Sequence, residues 1–141
     1  MKYLYSFSLL LVTVILFSSC SKDIFRPYED RIEGTWEMTD VEKIGPGSSY
    51  IAFDGGLFTF YTNGRLDYQD GYGGYYEGDW DIRRINTNNG SIKTLKVNCV
   101  DYHTKIQLSE YFDEIVFTST NRMVAYIYDG PRTYKFYFSR R

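Results

Sequence analysis

The residues able to do chemistry are few, and their spacing gives them little to do it with. The single histidine, His103, lies in Asp101-Tyr102-His103-Thr104-Lys105, a polar stretch of turn character. An imidazole there has no orienting partner, so a solvated histidine is expected rather than a general acid or base. Cys99 ends Leu95-Lys96-Val97-Asn98-Cys99, an alternating run that places it on a buried face as a structural thiol. No serine sits in a nucleophile elbow. The pairs Asp67/Asp70 and Asp79/Asp81 are the carboxylate groupings that could begin a cation site. They lack the spacing and closing Glu of a calcium loop, and exposed strand faces account for them. Gly71-Tyr72-Gly73-Gly74 is followed by neither the helix start nor the Lys of a phosphate loop. The expectation is a chain that is not an enzyme and holds no metal and no cofactor.

Cys20 has a different chemistry. Lys2 is followed by the apolar run Leu9 to Phe17, broken only by Thr13, and Ser18-Ser19 lead into the cysteine. The run is too short for a permanent span and reads as a secretory signal. It resembles the lipobox of bacterial lipoproteins, with Phe17 where Leu is usual. That resemblance implies cleavage before Cys20, acylation of Cys20, and a membrane partner held through the lipid in the outer membrane or cell envelope. Each buried acyl CH₂ contributes about 0.8 kcal/mol, so two or more chains anchor stably. Loss of residues 1–19 removes Lys2 and leaves 15 basic against 18 acidic residues, with Cys99 lacking a disulfide partner. The mild acidity excludes a nucleic-acid partner. Residues 20–31, polar and containing Pro27, read as the lipidated N-terminus and a linker.

The remaining 110 residues, 32–141, must fold on a hydrophobic core alone. Aromatics make up 19% of the chain, with 15 Tyr and 10 Phe, while Ala occurs only at 52 and 125. Local preference therefore runs toward strands. Gly34 to Val41 puts Trp36 and Met38 on one face. Leu57 to Tyr61 meets Asn63-Gly64, a hairpin signal, and returns through Arg65 to Tyr68. Tyr76, Trp80 and Ile82 share a face, and further period-two runs follow at 95–99, 106–108, 115–117, 123–128 and 134–138. These short connections specify an all-β, up-and-down antiparallel meander of about eight strands closing into a small barrel.

Gly34-Thr35-Trp36 on the first strand, Gly78-Asp79-Trp80 and the closing Phe136-Tyr137-Phe138-Ser139-Arg140 together resemble the small lipocalin-like lipoproteins of Gram-negative bacteria. The resemblance covers residues 32–141 and implies that Arg140 packs over Trp36 to close the barrel base. The chain is short for a lipocalin and lacks a C-terminal helix. Trp36, Phe58, Phe60, Trp80, Phe117, Tyr134, Phe136 and Phe138 form the expected inward set, as core or as ligand lining. Two readings of function follow. One is non-catalytic binding of a small apolar or amphipathic ligand in the lumen. The other is a solidly packed envelope module that contacts a protein or glycan through the Tyr/Gly loop, with Tyr72, Tyr75 and Tyr76 as the surface cluster.

Overall fold

A computed structural model of the chain describes residues 26–141; Cys20 and the signal segment lie outside them. Among the described residues one short helix, α1 (Tyr28–Ile32), precedes β1 (Gly34–Ile44), β2 (Gly56–Phe60), β3 (Arg65–Gln69), β4 (Tyr75–Thr87), β5 (Gly90–Val100), β6 (Gln107–Phe112), β7 (Glu114–Ser119), β8 (Arg122–Asp129) and β9 (Arg132–Arg140). All nine strands lie in one antiparallel sheet, in the order β6-β5-β4-β3-β2-β1-β9-β8-β7. Alternation dictates which side each residue takes. In β4, Tyr76, Trp80 and Ile82 are buried while Asp79 and Asp81 are exposed. The β2–β3 hairpin turns at Asn63-Gly64, where Gly64 takes φ +79° and Tyr61 N donates to Arg65 O at 3.0 Å.

The two edge strands are consecutive in the chain. β6 pairs with Leu95–Val100 of β5, then the backbone crosses at Asp113 and continues as β7 along β8. Asp113 N donates to Tyr126 O at 2.8 Å at the crossing. The sheet is thereby curled, but its hydrogen-bond ladder does not close into the expected ring. β6 has only six residues before the crossing, so residues 90–94 of β5 have no strand partner on that side.

Helix α1 lies over this gap and corrects the reading of residues 28–31 as linker. Pro27 fixes the entry, Arg31 N donates to Pro27 O at 3.1 Å, and Glu29, Asp30 and Arg31 suit the polarity of a helix turn. Ile32 is fully buried. Tyr28 packs edge-on against Phe117 with centroids 5.1 Å apart, and Glu29 pairs with Lys93 at 3.3 Å. The folded unit therefore starts some residues before 32.

The opposite end is covered by the β1–β2 connection, residues 45–55. Phe53 is fully buried and meets Phe58 and Tyr68 edge-on at 5.2 and 4.9 Å. Hydrogen bonds to distant strands fasten the loop. Ser49 N donates to Tyr134 Oη at 2.9 Å, Ser49 Oγ to Asp129 at 2.6 Å, and Ala52 N to Glu110 at 2.8 Å. Between the two ends the core is a chain of rings, including Phe58, Phe60, Tyr68, Phe112, Phe136 and Phe138. Burying each such side chain stabilises the fold by roughly 1.5–3 kcal/mol.

Candidate functional site

Trp36, Phe58, Phe60, Trp80, Tyr134 and Phe136 all face inward and are buried. Phe117 is half-buried, tilted against Trp36 at 5.8 Å, with the Arg31 guanidinium 4.3 Å above its ring. Two properties bear on whether this interior can hold a ligand. A void able to admit one water would leave accessible surface on the rings around it, and Trp36, Phe53, Phe112 and Phe136 have none. The polar tips of four inner rings are also engaged at home. Trp36 Nε1 donates to Ile32 O at 2.6 Å, Trp80 Nε1 to Tyr61 O at 3.1 Å and Tyr68 Oη to Gly55 O at 2.9 Å, while Tyr134 Oη accepts from Ser49 N. Tyr68, desolvated by burial, has its phenol pKa pushed well up.

Arg140 lies beside Trp36 in the β1–β9 register, its guanidinium carbon 4.5 Å from the ring centroid. Nη1 donates to Glu33 O and Nη2 to Arg31 O, both at 2.6 Å, so the fork also grips the end of α1.

The structure places the residues considered for catalysis as follows. Cys99 is buried, and desolvation pushes its thiol up to about 12, leaving it protonated at neutral pH. His103 is exposed in the β5–β6 turn, where its backbone N donates to Asp101 Oδ1 at 2.8 Å. Asp101 organises that turn, and the Thr104 hydroxyl, 2.8 Å from Oδ2, leads the hydrogen bonds that hold its carboxyl below the ordinary range. Asp67 accepts from Tyr61 and Arg65, Asp70 from two loop amides, Asp79 from Asn98, and Asp81 from Arg83. Among the described residues no three His, Cys, Asp or Glu side chains stand together as a metal site.

The Tyr/Gly connection between β3 and β4 divides the expected tyrosine cluster. Tyr72 is 87% exposed and Tyr75 44% exposed, but Tyr76 is buried with its ring 5.5 Å from Tyr68, so it belongs to the core and not to the surface. Its place in the Tyr76, Trp80, Ile82 alternation is the physical reason. Asp70 Oδ1 shapes the loop by accepting from Tyr72 N at 2.7 Å and Gly74 N at 2.9 Å. Gly71 at φ +80° and Gly73 at φ +100° make the left-handed turns this requires.

Beside that loop a groove of about 620 Å³ runs across the outer face of β1–β4, lined by Glu37, Leu57, Gln69, Tyr75 and four glycines. Its one charged side chain, Glu37, is paired with Arg141 at 2.6 Å. Three other solvent-open grooves carry at least three charged side chains each. This outer groove was not legible in the sequence beyond Tyr72 and Tyr75, because it needs Glu37 and Leu57 from strands far along the chain. No protein-family model, no curated protein and no solved structure matches the chain.

Proposed function

We propose that the protein is a lipid-anchored, non-catalytic cell-envelope module that works through its outer face at the Tyr/Gly loop. The observation that carries this reading is the interior packed with rings, next to an outer groove whose lining is almost uncharged. An apolar ligand in the lumen would first have to displace Phe53 and break the Ser49 and Ala52 contacts that hold its loop. The likeness to small lipocalin-like lipoproteins is supported by the Trp36–Arg140 stacking and by the curled sheet, and a rolled, barrel-like domain behind a lipidated Cys20 is part of the proposal.

The anchor and the surface are tested separately. Cys20→Ala is expected to move the protein from the membrane to the soluble fraction, and membrane retention of that variant overturns the anchor. The purified full chain in detergent micelles is expected to sediment with delipidated envelope material from its own host, and Tyr72→Ala/Tyr75→Ala to remain in the supernatant. Equal sedimentation of the two proteins overturns the outer-face reading.

A further inference from the structure

Taking that outer-face reading as its basis, we infer that the groove under the Tyr72 loop takes a neutral glycan. Charge is the first argument. In a chain with 24% charged residues, the groove presents Leu57, Gln69, Tyr75 and glycine backbone, and its lone carboxylate is neutralised by Arg141. An anionic ligand is repelled there, because the Tyr75 hydroxyl is hydrogen-bonded to Asp67 with Glu77 nearby, whereas the hydroxyl groups of a glycan find an amide, carboxylates and a phenol oxygen.

The second argument is shape. Tyr75 lines the groove, the exposed Tyr72 belongs to the loop whose Gly71, Gly73 and Gly74 line it, and the glycines leave the floor to backbone. Such separated rings give platforms for the C–H faces of sugar rings. A protein interface of standard size needs about 800 Å² of well-packed contact on each partner, with a contiguous apolar centre that Leu57 alone does not supply. An extended peptide finds no free edge, because β2 is paired on both sides, with β1 and β3, and β3 likewise with β2 and β4. The groove volume falls in the range of small-ligand sites.

Affinity electrophoresis of the full chain in detergent tests the inference, using gels that contain a soluble α-glucan, β-glucan, β-mannan or xylan, with polygalacturonate as the anionic control. At least one neutral polymer is expected to retard the wild type. Tyr75→Ala is expected to weaken that retardation about tenfold, as removal of a dominant contact does, while Tyr75→Phe and Tyr75→Trp keep most of it. Unchanged near-ultraviolet circular dichroism of each variant guards against misfolding. Retardation by polygalacturonate alone, by none of the polymers, or equally for wild type and Tyr75→Ala overturns the glycan assignment. The envelope sedimentation test then separates the outcomes. If Tyr72→Ala/Tyr75→Ala still abolishes sedimentation, the outer face works on another partner; if it does not, the broader reading falls too.

Discussion

Replacing Arg140 by Ala removes the Trp36 stacking and the guanidinium hydrogen bonds to Arg31, Glu33 and Thr120, and the structure allows the worth of the closest of these to be worked out. The guanidinium sits 4.5 Å from the Trp36 centroid, a geometry worth about 0.5–2 kcal/mol depending on desolvation. Its two 2.6 Å hydrogen bonds to the carbonyls of Arg31 and Glu33 are charge-assisted. Because Arg140 is only half-buried, they merit less than the roughly 1.5–3 kcal/mol of charged hydrogen bonds, about 1 kcal/mol each. The expected loss is about 3 kcal/mol, a large share of the roughly 5–15 kcal/mol that holds a domain of this size. With a urea m-value of about 2 kcal/mol/M, the midpoint of unfolding falls by about 1.5 M. Arg140→Lys keeps the charge but loses the planar fork, so it should recover half of the loss or less. Equilibrium urea unfolding followed by tryptophan fluorescence reads all three proteins, and a Trp36→Phe/Arg140→Ala cycle isolates the ring contribution. A midpoint for Arg140→Ala within about 0.3 M of wild type at unchanged m, or an Arg140→Lys protein as stable as wild type, refutes the reasoning.

Other substitutions probe the remaining closures. Phe53→Ala empties the covered end and should cost about 3 kcal/mol, with new fluorescence from an apolar dye; a loss below about 1 kcal/mol would mean the ring is not a structural plug. A methyl on Gly78 would overlap the Asn98 carbonyl oxygen and Cys99 Cα across the β4–β5 pair. Gly78→Ala should therefore lose about 3 kcal/mol or more, or fail to fold, and a near-wild-type melting temperature would contradict the clash. Asp101 has its folded pKa held below the ordinary value, so its contribution is fully present above the unfolded pKa near 4 and is lost as pH falls through the folded one. Asp101→Asn should be less stable than wild type at pH 7, with the gap narrowing as pH falls through the folded pKa; a gap that does not narrow in acid would show that charge is not its source.

How much of this was readable in advance follows from the range of the interactions. Period-two alternation is a property of neighbouring residues, so Trp36 and Met38 in β1, and Tyr76, Trp80 and Ile82 in β4, could be assigned to a face directly. Asn63-Gly64 carries its own turn geometry. Helix α1 was missed because five residues are too few to display a 3.6 period, and their polar members read as a tether. Phe53 sits in a loop where alternation has no meaning; a phenylalanine within a stretch rich in Gly and Ser was the available signal. Tyr76 was grouped with its exposed neighbours by composition although its spacing from Trp80 already assigned it inward. The crossing at Asp113 depends on where β6 runs out beside β5 and β8, and no local pattern encodes it.

The grip of Arg140 on Arg31 joins positions 109 apart, and the β1–β9 ladder beside it is nearly as long-range. Contacts of such high sequence separation form only after a large loop-closure entropy has been met, which makes folding slow compared with a domain of local contacts. It also sets an order of events for a chain delivered from its N-terminus. Hairpins such as β2–β3 and β4–β5 can assemble as soon as they emerge, and β1 can pair with β2, but the other edge of β1 has no mate until β9 arrives. Until then the apolar side of β1 is uncovered and one of its edges is unpaired, so the nascent domain is at its most aggregation-prone just before completion.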